Sequence, residues 1–300
     1  MPPNEGPSIE NCMKNAIQRT KRHPLVRIQS ESDWESLPHP PTLLRDSRKS
    51  WRCQRRAPTD ARHIQQFLDT MHQRCPDTLD VLKQMIRAMR MIPTQVETAV
   101  SQQVCTGLRQ YCYENTDVPW GFIADETTLS ALECYYSRQF QELAHNFPHH
   151  YGDKWSMRTQ QPLDTVLFFD DWSHSGSQLQ ESMKDPPDTL HSDSEVLVVL
   201  SGLSLKAYNL ITKTIKHPLQ VYAAYRIDAL TEIFPGQCRA MLQTLQQHEL
   251  VDTDTTLDTS DYTLTVGQDK APDNLPNVFI CSKSVFCLLY TSPSPRDTVR

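Results

Sequence analysis

Two adjacent carboxylates and a turn of small residues are the groups in this sequence that are best suited to chemistry. Asp170 and Asp171 directly follow the apolar run 166–169, and Ser-Gly-Ser at 175–177 leads into a predicted helix. Carboxylate oxygens bind sugar hydroxyls or a metal ion, whereas the amides at a helix N-terminus bind a phosphate. Gly176 would let the backbone approach that phosphate closely. Together these groups predict a site for a phosphorylated sugar.

Apolar runs of about five residues, separated by helical patterns, predict the elements that position these groups. The expected strands are 120–124, 165–169, 195–200 and 219–224, and the expected helices between them are 127–147, 177–184 and 203–216. Such runs are typical of parallel strands buried on both faces. The predicted fold class is therefore α/β, a parallel sheet flanked by helices. The two aspartates fall at the carboxyl edge of this sheet, where open α/β sheets bind ligands.

The segment 166–179, VLFFDDWSHSGSQL, resembles the ribose-phosphate-binding loop of the type I phosphoribosyltransferases. That family's signature is four apolar residues, two acids, two or three variable residues and Thr-Gly-x-Thr at the start of a helix. The resemblance implies a phosphoribosyltransferase-like fold, in which Asp170 and Asp171 are the catalytic pair that holds the ribose hydroxyls. It assigns the 5′-phosphate to the loop formed by Ser173, His174, Ser175, Gly176, Ser177 and Gln178.

The sequence departs from this family signature at two positions. Gln178 stands where the family usually has its second threonine, and Ser177 stands where glycine is common. The change at Gln178 removes one hydroxyl from the phosphate site but leaves its backbone amides. The resemblance also leaves open that Asp170 and Asp171 belong to an ordinary solvent-facing turn. The Ser-Gly turn at the matching offset makes this alternative the weaker one.

A working transferase also needs a pyrophosphate site after the first core strand. The equivalent positions carry Asp125 and Glu126, whose charges would repel pyrophosphate. These acids would instead hold Mg²⁺, the cofactor that the resemblance implies for an active enzyme, or Asp125 would cap the helix that follows. Lys154 and Arg158 precede the motif strand and are the candidate basic residues for pyrophosphate, although each is more often a solvated surface charge.

Two functions therefore remain open. The first is a transferase that uses phosphoribosyl pyrophosphate and Mg²⁺ with an acceptor that the sequence does not identify. The second is a non-catalytic module that binds a nucleotide or phosphoribosyl pyrophosphate, and the acids at 125–126 together with Gln178 favour it. A third hypothesis, a helical interaction protein with an incidental α/β domain, rests only on the helical patterns near the N-terminus.

The sequence predicts four regions. Residues 1–57 are rich in proline, carry a basic patch at 45–56, and are expected to be extended or disordered. Residues 58–117 contain three amphipathic patterns and predict a helical N-terminal segment, followed by the α/β domain at 118–284. The end of the chain contains CLLYTSPSPRD, which resembles the translation of a sequencing adapter, so residues 285–300 are expected to be foreign to the fold.

The composition argues against several classes of partner. The net charge of −6, from 36 acids and 30 bases, gives no electrostatic reason to expect nucleic acid or an anionic membrane. No run approaches the length of an apolar membrane span, and the N-terminus lacks the features of a secretory signal. The nine cysteines include no CxxC pair, which favours reduced thiols. These features predict a cytoplasmic protein.

Overall fold

The structure is a computed structural model that describes residues 7–19, 25–43, 61–114, 120–123, 163–182, 190–251, 262–267 and 275–279. The chain divides into two compact units, each built from two separate segments. The first unit contains residues 1–38 and 95–226, and the second contains residues 39–94 and 227–300. The predicted regions 58–117 and 118–284 therefore each contribute to both units.

The described elements follow in chain order. The helices are α1 (Ile9–Arg19), α2 (Glu31–Ser36), α3 (Ala61–Arg74), α4 (Leu79–Ala88), α5 (Thr94–Glu114), α6 (Ser177–Ser182), α7 (Leu205–Thr214), α8 (Leu230–Ile233) and α9 (Cys238–Gln247). The strands are β1 (Val26–Ile28), β2 (Arg90–Ile92), β3 (Trp120–Ile123), β4 (Leu163–Ser173), β5 (Leu190–Ser204), β6 (Leu219–Ile227) and β7 (Thr265–Gly267). None of these described helices has the length and apolar character that a membrane span requires.

A five-stranded sheet forms the centre of the first unit, in the order β1-β6-β5-β4-β3. The strands β3, β4 and β5 run parallel, whereas β1 runs antiparallel to β6 at the edge. All four predicted strands are present as β3 to β6, and the helical N-terminal segment is present as α3, α4 and α5. The predicted α/β class with a mostly parallel, helix-flanked sheet is thus confirmed. The predicted helix at 127–147 lies outside the described residues.

The strands of this sheet are buried because their apolar residues occupy consecutive positions. On one face Phe168 and Val198, which are paired in register, pack in a core with Ala207 and Ile211 of α7. Leu197, on the opposite face of β5, is also fully buried. Burial on both faces explains why the central strands lack the alternation of apolar and polar residues seen in half-exposed sheets.

The N-terminal region differs from the predicted extended or disordered chain, because it contains α1, β1 and α2. Ile9, Cys12, Met13 and Ala16 are buried, at the spacing of one helix face. This face packs closely against α5. A Cβ added at Gly107 would lie 2.4 Å from the sulfur of Met13, so a larger residue at this position would require the Met13 side chain to shift. The basic patch at 45–56 lies outside the described residues.

The second unit has its own apolar core and a two-stranded sheet in which β2 pairs parallel with β7. Leu82 and Met85 of α4 are fully buried there, together with Leu242 and Leu245 of α9. Since α4 and α9 come from the two separate segments, neither segment alone contains the complete core.

Candidate functional site

The sequence predicted that the two aspartates follow the end of the strand. In the structure both lie within the ladder of β4. Asp170 pairs with Leu200 and Trp172 pairs with Gly202, so β4 continues along β5 to Ser173. On its other side β3 ends at Ile123, opposite Phe168. There the Oδ1 of Asp170 accepts a hydrogen bond of 2.8 Å from the backbone N–H of Asp171. The first carboxylate therefore has a structural role at this edge.

Successive residues of a strand point to opposite faces, which separates the two carboxylates. Asp170, which is 8% exposed, shares its face with Phe168 and Leu200. The register places Asp171 on the other face, beside Ser201 of β5. The two carboxylates therefore point to opposite faces of the β4–β5 ladder, which continues to Ser173.

Ser204, which the sequence analysis did not single out, fixes the loop that follows β4. Its hydroxyl donates a hydrogen bond to the carbonyl of His174 and accepts one of 3.0 Å from the N–H of Ala207. The second bond caps the N-terminus of α7. Ser204 and His174 are both buried, at 1% and 6% exposure. The sequence signal for the cap was a serine before a helix, but its contact with the loop depends on the tertiary fold.

Glycine is required at position 176 for a structural reason, which differs from the predicted approach to a phosphate. Its φ of 75° lies in the left-handed region, which favours glycine. A Cβ at this position would lie 3.2 Å from the Cα and carbonyl oxygen of Ala207 and 3.3 Å from the Cδ2 of Leu210. The glycine therefore allows the loop to pack closely on α7.

The turn at 175–177 brings two hydroxyl groups together at the surface. The Oγ atoms of Ser175 and Ser177 are 2.7 Å apart, and the N–H of Ser177 donates to the Oγ of Ser175 over 3.3 Å. Ser177 is exposed and begins α6, whose first turn also contains Gln178. The hydroxyls of Ser175 and Ser177 and the N–H of Ser177 are thus grouped at one point of the turn.

The remaining predicted site residues are Asp125, Glu126, Lys154 and Arg158, and all four lie outside the described residues. Within the described ranges, no group of three or more His, Cys, Asp or Glu side chains is placed to hold a metal ion. The described residues alone do not form a site for Mg²⁺, since Asp170 and Asp171 point to opposite faces of the sheet.

A second polar cluster lies toward the amino ends of β5 and β6. The side-chain amide of Gln220 donates to the carboxylate of Glu195, and the hydroxyl of Tyr222 donates to the Oε1 of Gln220 over 3.0 Å. Burial raises the pKa of Glu195, and the hydrogen bond from Gln220 opposes that effect. Burial also raises the pKa of Tyr222 to about 12. Glu195 pairs with Thr165, five residues before Asp170, so this cluster is separate from the candidate site.

Comparisons with known proteins supply no further assignment. No family model matches the sequence, and no curated protein and no solved structure shows significant similarity to it. The functional argument therefore rests on the motif, on the geometry of the loop after β4 and on the chemistry of its side chains.

Proposed function

We propose that the segment 170–177, which is the end of β4 and the turn after it, binds the ribose and the 5′-phosphate of a nucleotide or of phosphoribosyl pyrophosphate. The observation that carries this proposal is the grouping of the Ser175 and Ser177 hydroxyls, 2.7 Å apart, directly after the Asp170–Asp171 pair. Acceptors for sugar hydroxyls and donors for a phosphate then follow one another along a single segment. Ser175 lies four positions after Asp171, a span of at most about 14 Å.

The charges define the orientation of the ligand. A phosphate is repelled by carboxylates and therefore belongs at the serine end of the loop, where hydroxyl and amide groups donate hydrogen bonds. The sugar hydroxyls belong at the aspartate end, where they donate to charged acceptors. The hydrogen bond from Ser204 to His174 holds the loop between these two ends, so the loop is preorganised for its ligand.

Between the two forms of this function, we favour a binding module without transferase activity. The strands β3 and β4 are parallel neighbours, so the carboxyl end of β3 points toward the same edge as the motif. That segment begins with Ala124, Asp125 and Glu126. A pyrophosphate group at this edge would meet added negative charge where a transferase stabilises its leaving group.

Calorimetric titration tests the binding site. Ribose 5-phosphate, a nucleoside monophosphate and phosphoribosyl pyrophosphate are each titrated into the wild type and into Asp171→Asn. Loss of a charged acceptor for ribose hydroxyls is expected to cost about 1.5–3 kcal/mol, roughly a tenfold to hundredfold loss of affinity. Asp193→Asn is the matched control, because Asp193 is exposed near the start of β5. Equal affinities in the two variants, or no binding by the wild type, would refute the proposed site.

Turnover distinguishes the module from the transferase. Wild-type protein is incubated with phosphoribosyl pyrophosphate, Mg²⁺ and purine, pyrimidine or orotate acceptors, and released pyrophosphate is measured. The module predicts measurable ligand binding without release. Acceptor-dependent release by the wild type that is lost in Asp171→Asn would establish the transferase instead.

A further inference from the structure

One face of the five-stranded sheet carries a row of polar side chains near the amino ends of its central strands. Thr165 of β4 pairs in register with Glu195 of β5, whose carboxylate accepts a hydrogen bond from Gln220 of β6. Tyr222, which donates to Gln220, pairs with Arg27 of β1. The neighbouring residues of β5 face the core shared with α7, so the row lies on the opposite face of the sheet. Polar groups therefore extend across four strands on that face.

The helices α1 and α5 cover this row. The hydroxyl of Tyr111 in α5 lies 3.4 Å from the Oγ1 of Thr165. Glu10 of α1 forms an ion pair with Arg27, and the Nζ of Lys14 lies 3.0 Å from the Oε1 of Glu10. The side chains of Arg27 and Glu10 are 28% and 27% exposed, so their ion pair is partly shielded from water. Arg27 thus connects α1 to the sheet through a charge.

Two carboxylates act on this one guanidinium. A hydrogen bond from Lys14, together with the charge of Arg27, lowers the pKa of Glu10, which therefore ionises readily. Burial raises the pKa of Glu195, and the charge of Glu10 adds to this effect, whereas the hydrogen bond from Gln220 and the charge of Arg27 oppose it. Glu10 and Arg27 are thus the charged groups among the described residues that act on Glu195.

We propose that α1 is a pH-dependent latch, held on the sheet while Glu195 is protonated and released when Glu195 ionises. An ionised Glu195 repels Glu10 and competes with it for Arg27, and it regains contact with water when α1 leaves. Docking of α1 is therefore tightest below about pH 4.5 and weakens as pH rises above that value. Tyr222 stays neutral in this range, because burial raises its pKa to about 12. The proposal is independent of the ribose-phosphate site, since none of these residues lies in the segment 170–177.

Hydrogen exchange of the full-length chain tests the latch, because it reports the opening of each helix separately. Exchange of the α1 and α7 amides is measured from pH 4.5 to 7.5 and corrected for the intrinsic pH dependence of amide exchange. We expect α1 to be less protected than α7 at every pH, since α1 opens without unfolding of the whole unit. The protection of α1 is expected to fall about threefold to fivefold over this range, the upper end for ion pairs near a surface.

The matched variants separate Glu195 from other carboxylates. In Glu195→Gln the side-chain amide resembles the protonated carboxyl and can still accept the hydrogen bond from Gln220, so α1 is expected to keep its protection as pH rises. Glu35→Gln makes the same substitution at an exposed position of α2 in the same unit. In this control the protection of α1 is expected to fall as it does in the wild type. Circular dichroism of both variants checks that the fold is retained.

The thiol of Cys12 provides a second readout, because it is buried on the face of α1 that packs in the fold. Alkylation at pH 7.5 followed by mass spectrometry is expected to modify Cys12 about threefold to fivefold faster in the wild type than in Glu195→Gln. Because the thiol is the same in both proteins, the ratio of the two rates reports the opening of α1.

Several results would overturn the latch. One is protection of α1 in the wild type that does not change with pH, and another is an equal fall in the wild type and in Glu195→Gln. Equal protection of α1 and α7 would show that α1 opens only when the whole unit unfolds. Equal alkylation rates of Cys12 in the wild type and in Glu195→Gln would also contradict the proposal.

Discussion

Replacement of Ser204 by alanine removes two hydrogen bonds at the base of the candidate ligand loop. The hydroxyl caps α7 through the N–H of Ala207 and also donates to the carbonyl of His174. Ser201, three residues earlier on β5, offers a matched comparison. Both serines are 1% exposed, but the Oγ of Ser201 has no hydrogen-bond partner among the described residues. The same substitution is therefore expected to destabilise the fold at Ser204 and not at Ser201.

The magnitudes follow from these contacts. Loss of a serine cap costs about 1 kcal/mol, and a buried carbonyl left without its donor costs about 1–2 kcal/mol more. We therefore expect Ser204→Ala to lower the free energy of unfolding of the first unit by about 2–3 kcal/mol. Ser201→Ala removes a buried hydroxyl that gains no hydrogen bond, so its effect is expected to be within about 0.5 kcal/mol or stabilising.

Native-state hydrogen exchange measures the stability of the first unit directly, because the amides of β5 and α7 report on it alone. Exchange is followed for the wild type and for both serine variants, with urea unfolding of each as a second measurement. Equal losses of stability in Ser204→Ala and Ser201→Ala would refute the reasoning. A ligand affinity that falls in Ser204→Ala and not in Ser201→Ala would further show that the cap positions the loop.

Three further predictions concern other positions. Gly176→Ala is expected to lower the free energy of unfolding more than Gly236→Ala. Both glycines have positive φ, but only at position 176 would the added Cβ lie against a helix. Thermal denaturation of both variants tests this difference. Burial raises the pKa of Glu195, so the folded chain binds more protons than the unfolded chain, and the free energy of unfolding should fall as pH rises above about 4.5. Unfolding measured from pH 4 to 7 should show a smaller fall of this free energy in Glu195→Gln than in the wild type. Burial raises the pKa of Cys105 to about 12, whereas Cys75 is half-buried, so alkylation at pH 8 followed by mass spectrometry should modify Cys75 before Cys105.

Local pattern was sufficient to predict the strands β3 to β6 and the helices α3 to α5, but not where the ladders stop. The apolar run predicted a strand at 165–169, whereas β4 covers Leu163–Ser173. Backbone pairing with β5 continues past the last apolar residue, because ladder hydrogen bonds do not depend on side-chain polarity. This extension places Asp170 and Asp171 on opposite faces, a feature that the sequence motif alone does not contain.

Long-range packing accounts for the elements that the sequence analysis missed. The helix α1 carries Ile9, Cys12, Met13 and Ala16 at the spacing of one helix face, but it lies within a region that was judged by its proline content, and it packs closely against Gly107 of α5. Ser204 similarly acquires its contact with His174 through folding. The division of the chain into two interleaved units was also hidden, since hydrophobic periodicity shows that a segment packs and not which distant segment it packs against.

This interleaving has a consequence for synthesis on the ribosome. Residues 95–226 complete the first unit while the initial half of the second unit, residues 39–94, has already been made. At a synthesis rate of about 5–20 residues per second, roughly 7 to 26 s pass before the rest of the core of the second unit is made. During this interval Leu82 and Met85 lack their partners in Cys238–Gln247. The nascent chain thus carries apolar side chains without their core partners during this interval, and truncation near residue 226 removes those partners altogether.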